Sequence, residues 1–578
     1  MNGTRARRIR PAEEAGGVRR GEQLAGSGRV ERGVGQALDR AAAVAGARTA
    51  VVDGDRRVSY AQLAARVARL GGGLRALGVE PGSVVAVLAL NSLEHLECWL
   101  GIPRCGAVLN DLNFRLASAE LEFVLADCGA VALIVDDAFA ELGAALAGRC
   151  GSVRHLIYCG RGEGPGGAIG YAELLAADPV PDTGAGDQLA GIFYTGGTTG
   201  LPRGVMLTHA NLVANAKHVL IASGYRDDDR YLHAGPMFHL ADGASTYAVT
   251  WAGARHVVVP AFEPGLVAQT IEAERVTVSV LVPTMINMLC HHPGVASHDL
   301  SSLRQVLYGG SPMPSAVQHK AAETIDCDWV QVYGMTEAAP GVAICRIDHR
   351  RALAGGEPDA ARSRSAGIPM IGVEAEVRRP DGSRAEAGEP GEIWVRGPNV
   401  MAGYWERPEE TAAVLDRDGW YHSGDAAYAD ADGYLYIVDR IKDMIISGGE
   451  NMYSIEVENA IYQHPAVLEA AVFGIPDEQW GERVHAAIVL KPGMTATEDE
   501  IIGHCRQLIG GYKLPRSIEF HDQPLPKSGA GKLLKRTLRQ PHWQGREQRV
   551  HLTSPSSPAA GPQLGETMTA QRLLGLRC

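Results

Sequence analysis

The chain has 578 residues, 46% hydrophobic and 21% charged. That is globular composition at a length too great for one core, so two or more domains are expected. A formal net charge of -12 excludes a broad basic face, and with it a general nucleic-acid-binding role. No apolar run is long enough to span a membrane. The ten cysteines contain no Cys-x-x-Cys pair, which reads as reduced thiols in a cytoplasmic protein rather than a disulfide or zinc framework.

Residues 1–40 carry nine arginines against five acidic residues and lack an apolar segment. This excludes a secretory signal and predicts a disordered tail, or an over-extended start. Residues 51–54 and 58–60 read as a hairpin leading into a helix over 60–77, with Leu63, Val67, Leu70 and Leu74 on one stripe. Gly71-Gly72-Gly73 follows no strand and so is no dinucleotide fingerprint. The run 84–90 has the continuous apolar character of a strand buried on both faces of a parallel sheet. Strand and helix patterns then alternate to about 340, with strands at 132–135, 189–194, 256–259, 278–281 and 305–308. The fold class is therefore α/β, with layered sheets.

The run Tyr194-Thr195-Gly196-Gly197-Thr198-Thr199-Gly200-Leu201-Pro202-Arg203-Gly204 is the most informative segment. It lies between an apolar strand and Thr208, which can N-cap a helix. Glycines let the backbone approach an anion, and the threonines add hydroxyls, so the run can wrap a phosphate chain. No Lys-Ser or Lys-Thr stands at Walker spacing. Further on come Pro236-Met237-Phe238-His239-Leu240-Ala241-Asp242-Gly243, the apolar stretch 281–289, Tyr308-Gly309-Gly310-Ser311-Pro312, and Tyr333-Gly334-Met335-Thr336-Glu337 after an apolar strand at 329–332.

From about 366 the texture changes to Gly-rich turns and short alternating strands such as 392–396, which predicts a β-rich lobe. It includes Trp420-Tyr421-His422-Ser423-Gly424-Asp425 and an alternating strand ending in Asp439-Arg440-Ile441-Lys442-Asp443. A boundary is expected near 440, followed by a compact α+β unit over 441–541. Its helix starts near Ser454 and is N-capped by it; strands fall at 469–473 and 484–490, and a second helix at 498–508. The unit holds the turn Ser447-Gly448-Gly449-Glu450 and the segment Pro526-Lys527-Ser528-Gly529-Ala530-Gly531-Lys532. Residues 542–578 are rich in Ser, Pro and Gly and are expected to be disordered.

Taken singly, most of these strings are ordinary turns. In this order and spacing they resemble the motifs of the adenylate-forming superfamily, acyl-CoA synthetase branch, over residues 45–540. The resemblance implies a large N-terminal AMP-binding domain (41–440) and a small mobile C-terminal domain that rotates about Lys442. It makes Thr195, Gly196, Gly197, Thr198, Thr199, Gly200 and Arg203 the pyrophosphate loop. Gly310, Ser311 and Pro312 lie along the adenine edge, and Tyr333 with Gly334 against its face. A flat phenol ring suits that face. Asp425 and Arg440 hold the ribose, since a carboxylate accepts both bonds of a vicinal diol. Thr336 is assigned to the α-phosphate and Glu337 to Mg²⁺, for which a carboxylate is a hard oxygen ligand. His239 is the gate of the acyl pocket; Ser447, Gly448, Gly449 and Glu450 line the coenzyme A tunnel. Lys532 bridges substrate carboxylate and α-phosphate during adenylation, with Lys527 and Lys535 as nearby lysines outside the motif.

Two positions depart from the family pattern: Gly196 replaces a serine and Arg203 a lysine. A hydroxyl is lost and a forked cation gained, which adjusts ATP affinity without removing the site. A catalytically silent nucleotide binder rests on these two changes alone. The expected reaction is ATP-dependent formation of an acyl adenylate and its transfer to coenzyme A. The expected acid is a fatty or other apolar acid, with an aryl acid second. An amino acid is disfavoured, because no aspartate directly follows Phe238. A separate carrier protein stands as the alternative acceptor, and a homodimer is left open.

Overall fold

The computed structural model describes residues 33–195, 202–311, 313–346, 362–440, 443–447, 450–477, 480–527 and 533–544, with the backbone alone at 450 and 451. Among these residues the strands form four sheets. The apolar run at 84–90 becomes the strand Val84–Leu88, every residue of it buried. It pairs in parallel with Val108–Asp111 on one side and Ala132–Val135 on the other. These strands are the centre of an eight-stranded sheet whose far edge is Leu189–Thr195, Arg203–Thr208 and Gly403–Tyr404. A nine-stranded sheet has a parallel centre containing Arg230–His233, Val278–Leu281, Gln305–Gly309 and Asp328–Gly334.

Helices between the sheets share one core. Tyr60–Ala76 is N-capped by Ser59 in a capping box with Gln62, and its stripe Leu63, Val67, Leu70 and Leu74 is fully buried. The Gly triplet on this helix serves packing. A Cβ on Gly72 would lie 1.9 Å from the Asp178 carbonyl oxygen, so only glycine lets the chain pass there. Trp99, from the helix Leu93–Arg104, stacks on Phe193 at 5.3 Å and ties helix to sheet.

The β-rich lobe is the antiparallel sheet of Glu374–Arg378, Gly391–Arg396, Tyr421–Ala429 and Leu435–Arg440. The next sheet begins at Ile445–Ser447 and is dominated by the long pair Val467–Asp477 and Gly481–Leu490, flanked by Ser517–Phe520.

Four expectations are corrected. The tail drawn to residue 40 ends earlier, because Gly35–Ala45 is a helix with Ala37, Leu38 and Ala41 buried in the main core. At the other end, Trp543 lies beyond the drawn boundary at 541, yet its indole donates to the Gly474 carbonyl at 3.2 Å. The helix Ser454–Tyr462 is not capped by Ser454, which is its first residue. Instead the buried Asp439 carboxylate accepts from both the Ser454 amide and its hydroxyl, each at 2.6 Å. The charge that stabilises the helix start thus comes from the neighbouring sheet. The helix predicted at 498–508 ends at Cys505.

Candidate active site

The sequence placed the phosphate-binding run between a strand and a helix. In the structure the two ends of the run lie on paired strands: Leu189–Thr195 pairs antiparallel with Arg203–Thr208, and the last pair is Thr195 with Arg203. Only then does the chain enter the helix His209–Ser223, capped by the Thr208 hydroxyl, which accepts from the Asn211 amide at 3.1 Å. Gly196, Gly197, Thr198, Thr199 and Gly200 lie outside the described residues. The flanks fix where the run emerges, at the edge of the eight-stranded sheet.

Arg203 connects that edge to the next motif. Its guanidinium lies over the Tyr404 ring at 4.5 Å and contacts Glu410 at 3.1 Å. Burial lowers its pKa, but Tyr404, Glu410 and Glu337 outweigh that effect and leave it raised. The Tyr404 hydroxyl donates to Glu337 Oε1 at 3.0 Å. Glu337 sits in the single turn Thr336–Ala338 just beyond the strand Asp328–Gly334 and is 9% exposed. Through Tyr404, therefore, the strand Arg203–Thr208 and the Thr336-Glu337 turn become neighbours.

A second junction joins the nine-stranded sheet to the β-rich lobe. Asp425 and Arg440 face each other across the pair Tyr421–Ala429 and Leu435–Arg440, with Arg440 Nε 3.7 Å from Asp425 Oδ1. The Tyr333 hydroxyl donates to Asp425 Oδ2 at 2.7 Å. Burial and the Asp425 charge push the Tyr333 phenol well above its usual range, so it remains a donor. Gly334 admits no side chain, since a Cβ would meet the Pro340 carbonyl oxygen at 2.0 Å. On the adjacent parallel strand Gln305–Gly309, Gly310 turns at φ +80, where glycine is favoured, and Ser311 follows. Pro312 lies outside the described residues.

His239 is half-buried and caps the short helix Leu240–Gly243, its Nδ1 accepting from the Ala241 amide at 3.2 Å. The rest of the gate segment is held firmly. Asn91 accepts from the Met237 amide at 2.8 Å and donates to the Gly235 carbonyl at 2.7 Å. Asp242 accepts from the Tyr231 hydroxyl at 2.7 Å and faces His233 Nδ1 at 3.1 Å. Phe238 meets Phe114 edge-on at 4.9 Å.

In the small domain, Ser447 closes a tight hairpin opposite Glu450. Lys442, Gly448, Gly449 and Lys532 lie outside the described residues. The base of the segment carrying Lys532 is fixed by a bridge between Lys527 and Leu533 and by the Leu534 amide donating to the Pro526 carbonyl at 2.8 Å. The two neighbouring lysines are engaged elsewhere: Lys527 pairs with Glu469, and Lys535 with Glu458 at 2.8 Å. Sequence reasoning missed Tyr404, Glu410 and Asp439. Each works through a contact distant in sequence, and none sits in a string with a recognisable period.

Residues 38–405 match the family of AMP-binding enzymes, and residues 456–532 match the AMP-binding enzyme C-terminal domain. The chain is 44% identical over 511 residues to a feruloyl-CoA synthase of Amycolatopsis sp, covering 88% of this chain and 99% of that one. It is 35% identical over 509 residues to the fatty acid--[acyl-carrier-protein] ligase ScoC of Streptomyces coeruleorubidus, covering 87% and 95%. Among solved structures, the anthranilate CoA ligase AuaEII in complex with anthranoyl-AMP superposes with a TM-score of 0.80 at 27% identity, covering 89% of this chain and 98% of that one.

Proposed function

The chain belongs to the family of AMP-binding enzymes and is an AMP-forming acid–thiol ligase of its acyl-CoA synthetase branch, and from that premise we propose that its substrate is an aryl-substituted carboxylic acid. The observation that carries the site assignment is the meeting of Tyr333, from the nine-stranded sheet, with Asp425 and Arg440 of the β-rich lobe. In this reading adenine lies against the Tyr333 ring and along Gly310-Ser311, while Asp425 and Arg440 take the ribose hydroxyls. The run from Thr195 to Arg203 holds the β- and γ-phosphates. Thr336 and Glu337 offer a hydroxyl and a carboxylate, the hard oxygen donors that Mg²⁺ accepts, and Tyr404 orients the carboxylate. Mg²⁺ bound there would offset charge on the phosphates.

The acid's carboxylate oxygen attacks the α-phosphorus, the bond to the β-phosphate oxygen breaks, and pyrophosphate leaves. Lys532 holds the two anions together during this step. The small domain then turns about Lys442, and the tunnel residues Ser447 to Glu450 replace Lys532 at the reacting centre. The coenzyme A sulfur attacks the acyl carbon, the acyl–phosphate bond breaks, and AMP leaves; the thiol proton passes to solvent.

Support for an aryl acid comes from the 44% identity to a feruloyl-CoA synthase across nearly the whole of both chains. The fatty-acid reading takes second place, favoured by the likeness to ScoC. That likeness also favours a carrier protein as acceptor. The test compares kcat/KM for hydroxycinnamic, benzoic and medium- and long-chain fatty acids with saturating ATP and coenzyme A. The aryl reading expects the hydroxycinnamic or benzoic acids to lead by at least about tenfold; a lead by fatty acids would overturn it.

A further inference from the structure

On the small domain's sheet, three ligating side chains that belong to none of the reaction motifs converge. The strands Gly481–Leu490 and Ser517–Phe520 run parallel, with His485 opposite Ser517. Strand alternation then puts Glu519 and His521 on the same face as Ser517. The turn Gln540–Trp543 returns over this sheet and adds His542, held in place by the hydrogen bond from Trp543 to the Gly474 carbonyl.

The resulting group is compact. Glu519 Oε2 is 3.8 Å from His485 Nε2 and 3.9 Å from His542 Nε2, and one ligand atom of each residue lies within 4.8 Å of the others. These separations exceed hydrogen-bond distance. Ligand atoms about 2.0 Å from a tetrahedral zinc ion are about 3.3 Å apart, so closing the set takes a shift of the exposed Glu519 towards both rings and of the His542 ring towards His485.

His485 has no other evident employment for its Nε2. The residue is 5% exposed, and that atom is buried without a hydrogen-bond partner among the described residues. Its Nδ1 meets the Ser517 hydroxyl at 2.7 Å; donation there would leave the Nε2 lone pair directed at the cluster. His521 Nε2 lies 3.5 Å from the second Glu519 oxygen, where it can orient the carboxylate.

We propose that His485, Glu519 and His542 bind one divalent transition-metal ion of the zinc type, with water as fourth ligand. Imidazole nitrogen with one carboxylate is a donor set that suits zinc and cobalt. The ion would fasten the segment Gln540–Trp543, which follows the Lys532 loop, to the sheet beneath it. The cysteine spacing, which excluded a thiolate zinc framework, gave no view of this site.

The test uses the full chain, stripped with a chelator and titrated with Zn²⁺ by calorimetry and with Co²⁺ by visible absorption. Expected are one equivalent bound per chain, a tetrahedral Co²⁺ spectrum abolished by Zn²⁺, and a melting temperature raised by Zn²⁺. His542→Gln and Glu519→Gln, both at accessible positions, should each weaken binding by more than about tenfold. They avoid the buried His485, whose replacement could unfold the domain. The proposal fails if no stoichiometric binding occurs, if both variants bind as tightly as the parent, or if the Co²⁺ spectrum shows thiolate charge transfer.

Discussion

Asp425 is placed for two duties: it accepts the Tyr333 hydroxyl and faces Arg440 from the opposite strand. A hydrogen bond to a charged group contributes about 1.5–3 kcal/mol, and a ribose diol would make two with this carboxylate. Asp425→Ala should therefore lower kcat/KM for ATP by about 10²-fold or more. Tyr333→Phe keeps the ring face and loses one such bond, so a drop of only about tenfold is expected. Both are read by pyrophosphate release at subsaturating ATP; equal losses would contradict the division of roles. Tyr404→Phe should raise the Mg²⁺ concentration needed for half-maximal rate, because Glu337 loses the hydroxyl that orients it. The motif residues were legible because their types and order match a family. Tyr404 was not, since it acts only through the partners that folding brings to it.

At the scale of elements, the helix Tyr60–Ala76 shows how much rests on one close approach. Gly72→Ala would place a methyl 1.9 Å from the Asp178 carbonyl, and overpacking of this kind costs about 1–3 kcal/mol. Thermal unfolding should show a lower melting temperature; an unchanged value would mean that the 178 segment moves freely. The helix His209–Ser223 carries a pH dependence. His209 is fully buried, its Nδ1 accepts from the Val34 amide at 3.2 Å, and burial lowers its pKa to about 4. The unfolded ring titrates near 6.5, so below that pH the unfolded state takes up the proton first. Stability is then complete above pH ~6.5 and falls towards pH 4, by up to about 1.4 kcal/mol per unit. Denaturant unfolding at pH 7.5 and 5 should show the loss, and His209→Gln should flatten it. Apolar runs and the cap at Thr208 were readable because they act locally. The pairing of Thr195 with Arg203 was not, because strand pairing is decided by the partner strand, and the Ser454 helix start depends on a carboxylate fifteen residues away.

The whole molecule places its proposed nucleotide contacts where three sheets meet, and its proposed bridging lysine on a separate domain. Layered α/β sheets, a β-rich lobe and a small α+β unit were all visible in the changing texture of the chain. The junctions between sheets were not, since they are contacts between segments 67 to 207 residues apart. A side-chain link crosses from lobe to small domain, between Asp439 on the strand Leu435–Arg440 and Ser454 at the first helix beyond it. If the small domain serves the two half-reactions in turn, Lys532→Ala should abolish adenylation yet leave thioester formation from supplied acyl adenylate within about threefold of the parent. Equal loss of both would remove Lys532 from its assigned place. The most direct measurement of the central claim is product stoichiometry with the preferred acid, Mg·ATP and coenzyme A. The account predicts pyrophosphate, AMP and coenzyme A thioester in equal amounts, all dependent on the acid. Pyrophosphate and AMP without thioester would contradict transfer to coenzyme A, and ATP binding without pyrophosphate release would contradict the ligase itself.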